Sequence, residues 1–340
     1  MRINKKSIIF CLFILIFIVF GIICFKNIEI DRYDTKTLLA EKEQLNKSKI
    51  NELSRKTLIV CATDKFDYSD SSPINVEKTN NIYSLTYEKT KDAKKAYDIY
   101  SKDKNVIYCE YDTVLETSDT KDNTINKETT NSLYDTIVSS HINESKNKEL
   151  YNSLNIDANT TLNRDKAKIV VIDSGATGKH NNSYNVFDGS SNVTDNIGHG
   201  TKMISIIEKE LKNYNYEIIP IKVANDNGYA STSALIKALD YASNLNATVI
   251  NISLTSTNIN TANILNEYIS KLSYNGTAVV VSAGNNSDDV KNYVPANIEN
   301  AIVVGSCDEK GNKKDFSNYG DTIDYFLTSD STSEAAAITS

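Results

Sequence analysis

Three short segments carry side chains that could do covalent chemistry, and they occur in a fixed order. An apolar run, Val170-Val171-Ile172, delivers Asp173-Ser174-Gly175. Gly198-His199-Gly200-Thr201 follows, and Ser331-Thr332-Ser333 comes near the end of the chain. A serine hydroxyl is a weak nucleophile until a base takes its proton. A histidine of near-neutral pKa can take that proton and return it to a leaving amine. A buried carboxylate holds the imidazole in the right tautomer and stabilises the imidazolium. Asp, then His, then Ser is one of the orders in which such a triad is threaded along a chain. Between His and Ser lies Val281-Ser282-Ala283-Gly284-Asn285, whose Asn is a candidate donor to a developing oxyanion. The chain has 3 histidines. His141 lies near a polar linker and His180 in a polar loop, so neither competes well with His199 for the role of base.

Positioning these groups requires a scaffold, and the pattern from Lys168 onward supplies one. Apolar strand candidates at Lys168–Ile172, Glu217–Val223, Ala247–Ile252, Thr277–Ser282 and Ala301–Val304 alternate with helix candidates. The helices are expected at Thr201–Leu211, Thr232–Ser243 and Thr261–Tyr274. In the second of these, Leu235, Ala238, Leu239 and Ala242 share one face. Continuous apolar strands alternating with helices predict an α/β fold, a doubly wound parallel sheet covered on both faces. Functional groups in such sheets gather at the carboxyl ends of strands, where Asp173 and Asn285 fall.

Upstream lies a second, smaller α/β pattern. Thr57–Ala62 reads as a strand, and Tyr83, Leu85 and Tyr87 alternate with polar residues. Ala93, Ala96, Tyr97 and Tyr100 share a helical face, and Val106–Leu115 returns to strand. Thr117–Ser132 is almost wholly polar and reads as a linker. Residues 1–26 contain an apolar run from Ile8 to Phe25 preceded by Arg2, Lys5 and Lys6. That run is about long enough to cross a bilayer, and its basic flank puts the rest of the chain outside. An uncleaved signal anchor is expected, with a cleaved signal peptide as the alternative. The expected division is therefore residues 1–26 anchor or signal, 27–55 stalk, 56–117 small domain, 118–150 linker and 151–340 large domain. The charge balance, 37 basic against 44 acidic side chains for a net −7, argues against a nucleic-acid partner. Of 5 cysteines, Cys61 and Cys109 fall on strands of the small domain, where a bridge or two buried thiols are both open. No Cys-x-x-Cys or His/Cys cluster suggests zinc.

With these segments in place, the chain resembles the subtilisin-like serine peptidases, the subtilase family (peptidase S8). The resemblance covers roughly Leu154 to the C-terminus. It implies Asp173, His199 and Ser333 as the triad, with Asn285 and the Ser333 N–H as oxyanion donors. Asn251-Ile252-Ser253-Leu254 looks like the strand lining the first specificity pocket. Asn227-Gly228-Tyr229-Ala230-Ser231 looks like the edge that pairs with an extended substrate. The implied substrate-binding set is Gly228, Tyr229, Ser253, Leu254, Ala283 and Gly284. Asp315-Phe316-Ser317-Asn318-Tyr319-Gly320 resembles a family segment upstream of the nucleophile. The small domain resembles an inhibitor-type propeptide, which implies a zymogen with its own propeptide as a partner. No cofactor is expected; family members often bind structural calcium, but no Asp-rich loop here has convincing ligand spacing.

The chain departs from the family pattern in several places. Ser331 replaces a Gly before the nucleophile, and Thr255 replaces a Gly in the pocket strand. Lys202 stands where a second His often follows the His motif, and Ala337 where a Pro is expected. An Ala-Pro-Gly segment and its loop are missing between Gly320 and Ser331. Only seven residues follow Ser333, too few for a stable helix without packing, so the domain is expected to be incomplete at its C-terminus. The resulting expectation is a serine endopeptidase acting on extended peptides, membrane-anchored with an extracellular peptidase domain, or secreted. The alternative is an inactive or fragmentary relative that binds extended peptides.

Overall fold

The computed structural model describes residues 45–117, 166–259 and 262–340. The apolar run at 8–25, most of the stalk and the linker at 118–150 lie outside the described residues. Among the described residues no helix is long and apolar enough to cross a membrane.

Runs of Val and Ile with no polar alternation must be buried on both faces, and such strands build parallel sheets. The large unit follows this rule. Its strands are β6 (Ala167–Asp173), β7 (Tyr184–Asn185), β8 (Tyr216–Lys222), β10 (Val249–Ile252), β12 (Ala278–Ser282), β13 (Ile302–Cys307) and β14 (Tyr325–Thr328). They form one seven-stranded sheet in the order β14-β13-β12-β10-β6-β8-β7, with every pair parallel. From β6 the chain moves to β8 on one side, then returns to β10 on the other. The strand order therefore reverses beside β6, and the crevice there is where a doubly wound sheet builds its site.

Helices α3 (His199–Glu210), α4 (Thr232–Ser243) and α5 (Ala262–Tyr274) cover the sheet. The face of α4 that carries Leu235, Ala238, Leu239 and Ala242 is fully buried. Its start is capped by Ser231, whose side chain accepts from the Ala234 N–H. A further helix, α6 (Thr332–Thr339), has 8 residues, and Thr332 to Ala337 are all buried. An isolated helix of that length is marginal in water. Here Ala335 and Ala336 pack with Val280, Val304 and Leu327, while Ala337 packs with Met203, Ile204 and Ile207. The packing that so short a helix needs is supplied by the sheet and by α3.

The small unit comprises β1 (Thr57–Ala62), β2 (Asn75–Thr79), β3 (Ile82–Thr86) and β4 (Val106–Tyr111) in the antiparallel order β2-β3-β1-β4. Helix α2 (Thr90–Tyr100) packs Ala93, Ala96 and Tyr100 on one face of that sheet. The other face presents Ile59, Cys61 and Ile82 to the large unit, within one continuous apolar core. Cys109 lies opposite Val60, and Cys61 opposite Tyr108. The two thiols therefore point to opposite faces, and both are free. Of the two readings left open for this pair, a bridge does not stand, and of the two free thiols Cys61 is buried and Cys109 half-buried.

The single strand expected over Val106–Leu115 is two strands. β4 ends at Tyr111, and β5 (Val114–Thr117) leaves the small sheet altogether. The break falls at Asp112, whose carboxylate accepts from the Ser233 N–H at 3.1 Å and the Ser233 hydroxyl at 2.7 Å. An anionic acceptor at the N-terminus of α4 is favourable, and it turns the chain toward the large unit. Helix α1 (Lys47–Ser54) lies within the segment read as a stalk and packs against β5 and the edge strand β9 (Tyr229–Ser231).

Candidate active site

Asp173 closes β6, with no exposed surface, and His199 opens α3. His199 Nδ1 lies 2.7 Å from Asp173 Oδ1. A carboxylate can only accept, so Nδ1 carries the proton, and Nε2 holds a lone pair when the imidazole is neutral. The Ser174 N–H donates to the same oxygen at 2.7 Å, while Oδ2 is buried with no hydrogen bond among the described residues.

The first turn of α3 is held by a residue outside the motif. Asp195 Oδ1 accepts from the Ser174 hydroxyl at 2.9 Å, the Gly198 N–H at 2.8 Å and the Ile197 N–H at 3.2 Å. Its Oδ2 accepts from the Thr201 N–H at 2.9 Å and the Thr201 hydroxyl at 2.7 Å. Burial pushes this carboxyl up, but the Thr201, Gly198 and Ser174 hydrogen bonds outweigh it and hold Asp195 below the usual carboxylate range. Gly200 is required by close approach. A Cβ there would sit 2.3 Å from the Gly175 carbonyl oxygen and 3.1 Å from Asp173 Cβ. Only glycine lets the His-bearing turn reach the end of β6.

Asn285 lies beyond β12, half-buried, in a loop organised by Asn318. The Asn318 amide donates to the Ala283 carbonyl at 2.8 Å, and its oxygen accepts from the Asn286 N–H at 2.9 Å and the Asp288 N–H at 3.1 Å. Gly284 has φ +98°, and a Cβ there would stand 2.6 Å from Asn318 Nδ2. Asn285 Oδ1 accepts from the Thr332 N–H at 3.1 Å and the Thr332 hydroxyl at 3.0 Å. Anchoring the amide oxygen this way turns Nδ2 to the opposite side. The Thr332 hydroxyl also accepts from the Gly284 N–H at 3.1 Å.

Ser331 caps α6, its side chain accepting from the Glu334 N–H at 3.2 Å. The substitution of Ser for Gly at this position thus supplies a helix cap. Ser333 sits in the first turn, fully buried, where backbone N–H groups have no partner within the helix. Its Oγ makes no hydrogen bond among the described residues.

An extended segment pairs with the strands next to these groups. β5 forms the middle strand of a three-stranded antiparallel sheet, between β9 and β11 (Leu254–Thr255). Leu115 pairs with Ala230, Glu116 with Tyr229 and Thr255, and Thr117 with Leu254. The Thr117 N–H donates to the Gly228 carbonyl at 3.1 Å. Gly228, Tyr229 and Leu254 therefore flank one extended segment. Ser253, Ala283 and Gly284 are buried at the neighbouring strand ends and do not pair with it. Leu115 is fully buried in the shared apolar core. Helix α1 closes over this strand. Lys47 Nζ lies 2.8 Å from Glu116 Oε2, and the Leu45 carbonyl accepts from Asn225 Nδ2 at 2.8 Å and Asn227 Nδ2 at 3.3 Å.

More contacts join the two units. Asn263 Nδ2 donates to Glu110 Oε1 at 2.9 Å, and Glu77 pairs with Lys237. Burial pushes Glu110 above the usual carboxylate range, against hydrogen bonds from the Asn263 side chain and the Asn263 and Ile264 N–H groups. Burial likewise pushes the Cys61 thiol up to about 11 and Cys109 to about 12, so both stay protonated at neutral pH. Among the described residues no group of three or more His, Cys, Asp and Glu side chains could hold a metal ion.

This geometry can be set beside known proteins. The model of the subtilase family matches residues 126–335, more than half of the chain. The chain belongs to the subtilase family. This subtilase is 30% identical over 173 residues to thermitase of Thermoactinomyces vulgaris, a match covering 46% of the chain and 61% of thermitase. It is 30% identical over 167 residues to subtilisin-like protease 2 of Pseudogymnoascus destructans, covering 46% of the chain and 42% of that protein. The chain thus spans less than two thirds of the length of these curated relatives. A crystal structure of a cold adapted subtilisin-like serine proteinase aligns with a TM-score of 0.47 at 25% identity, covering 54% of this chain and 75% of the other.

Sequence reasoning missed Asp195, Asn318 and Thr332 as positioning residues. An acidic residue shortly before a Gly-His-Gly-Thr helix start was a readable signal for the first, since carboxylates favour helix N-termini. Asn318 and Thr332 act across the fold, and nothing local marks their partners.

Proposed function

We propose that this subtilase is a serine endopeptidase made as a zymogen. The observation that carries the reading is the buried Asp173–His199 contact of 2.7 Å at the carboxyl edge of the sheet. Ser333 Oγ would attack the substrate carbonyl carbon as His199 Nε2 takes its proton, with Asp173 stabilising the imidazolium. The tetrahedral oxyanion would lie between Asn285 Nδ2 and the Ser333 N–H. Collapse would expel the amine, protonated by His199, and water would then release the acyl group by the same route. The nucleophile, base and oxyanion donors are all supplied by the chain, so the proposed reaction calls for no cofactor.

The zymogen reading rests on β5. An extended peptide that adds a strand to exposed edges is bound through its main chain, and β5 occupies the cleft in that manner. Residues 56–117 would then be an inhibitory propeptide whose last strand holds the place of a peptide substrate. Self-processing is expected within the few residues that follow Thr117. The apolar run at 8–25 would hold the peptidase at the outer membrane face, or direct its secretion. Protease treatment of intact cells should then release the large domain.

Ser333 Oγ, buried without a hydrogen bond, favours a second reading in which the cleft binds extended peptides without cutting them. One experiment separates the two. The full-length chain and its Ser333→Ala variant are incubated and treated with a fluorophosphonate. The peptidase reading expects the wild type to yield two fragments and a labelled large fragment, and the variant to stay at 37.8 kDa without label. A wild type that remains whole and unlabelled, even when Leu115→Ala loosens β5, overturns it.

A further inference from the structure

We propose that Lys202 and Glu334 form a positioning pair that holds the nucleophile's helix against the base's helix, an inference that rests on the peptidase reading above. Lys202 lies three residues after His199 on α3, and residues so spaced share a helix face. Glu334 directly follows Ser333 on α6. Lys202 Nζ is 2.6 Å from Glu334 Oε1. Glu334 Oε2 accepts from the Asp330 N–H at 3.0 Å, just ahead of the Ser331 cap. One carboxylate therefore ties the entrance of α6 together with one oxygen and reaches across to α3 with the other.

The neighbours of Ser333 divide this work. Thr332 on one side binds Asn285 and the Gly284 N–H. Glu334 on the other side binds Lys202. The serine is thus held between the loop of the oxyanion donor and the helix of the base. Glu334 is 7% exposed, which puts its end of the pair in a medium where an ion pair is felt more strongly than at the surface. The Lys side chain is 39% exposed, so the expected role is geometric rather than a large contribution to folding. Lys202, which departs from the family pattern by standing where a second His often follows the His motif, is the partner in space of the acidic residue that follows Ser333.

The test uses the full-length chain carrying Leu115→Ala, so that the cleft is open. The rate of fluorophosphonate labelling at Ser333 is measured for this reference, Lys202→Met, Glu334→Gln, the double variant, Lys202→Arg and a control at an exposed turn, Lys310→Met. Peptide hydrolysis and thermal melts are recorded alongside. Glu334→Gln keeps an acceptor for the Asp330 N–H and removes the charge. Each single variant should slow labelling about tenfold, since small misplacements of reacting groups carry large rate penalties. The double variant should be no slower than the slower single. Lys202→Arg should recover most of the rate, and Lys310→Met should match the reference. On peptide, kcat should fall while KM holds, with melting temperatures little changed. Singles that label at the reference rate, or losses that multiply in the double variant, overturn the proposal. If Glu334→Gln fails to fold, Lys202→Met and Lys202→Arg decide alone. A reference protein that takes no label overturns the peptidase reading itself, whereas a labelled reference with unaffected variants overturns only this pair.

Discussion

Replacing Asp195 by Ala removes the acceptor that organises the start of α3. The carboxylate binds the Ser174 hydroxyl, the Ile197 and Gly198 N–H groups, and both donors of Thr201, at 2.7–3.2 Å. Loss of a helix cap costs about 0.5–2 kcal/mol. Leaving a buried donor without its charged acceptor adds about 1–3 kcal/mol. Because water reaches the half-buried site and satisfies some donors, the total should be about 2–4 kcal/mol. In a domain of this size that lowers Tm by about 4–16 °C. Asp195→Asn, which keeps one carbonyl acceptor but no charge, should fall between the variant and wild type. The pH dependence has a defined sign. Asp195 titrates below its unfolded value, so its contribution is whole above the ordinary carboxylate range and is lost as pH falls through the folded value. The Tm gap between wild type and Asp195→Ala should therefore narrow in acid. His199, released from a fixed helix start, should also react more slowly through Ser333. Calorimetry across pH with fluorophosphonate labelling tests all of this. A Tm within about 1 °C of wild type at about pH 7, or a gap that widens on acidification, would refute the reasoning.

Other outcomes follow from the pairing of β5. Leu115→Ala empties a fully buried site, at about 2–5 kcal/mol for such a truncation. Docking of the N-terminal unit should weaken by about 30- to 5,000-fold, read by size exclusion after the linker is cut; unchanged co-elution over a dilution series would sink the idea. Lys47→Ala removes a pair whose side chains are 53% and 39% exposed, so it should change docking less than about fivefold. Asn225→Ala should do more, because Asn225 is fully buried and its side chain binds the Leu45 carbonyl while accepting from the Asn227 and Tyr229 N–H groups. If Lys47→Ala proves the more damaging of the two in the same dilution series, the ranking of these contacts is wrong.

Much of this architecture is local in origin, and local signals are what a sequence displays. Unbroken Val and Ile runs mark strands that must be covered on both faces, so the parallel core of the large unit could be read directly. The periodic faces of α4 and α2 could be read for the same reason. Gly-His-Gly-Thr at a helix start and Ser-Ala-Gly-Asn after a strand named their residues because glycine at those points answers a close approach that few other sequences need. What the sequence did not display depends on partners distant along the chain. The bend at Asp112 exists because α4 offers an N-terminus 121 residues away, so the expected single strand became two. Helix α1 looked like part of a spacer because its contacts are with β5 and β9. The eight-residue helix after Ser331 forms because three alanines fit between α3 and the sheet, and a count of the residues left in the chain could not weigh that packing. Lys202 was legible only as a departure from a pattern, and nothing in the sequence marked Glu334 as its partner. Their meeting at 2.6 Å is decided by how α3 and α6 pack, since the charges of two side chains say what they could bind but only the fold brings them within reach.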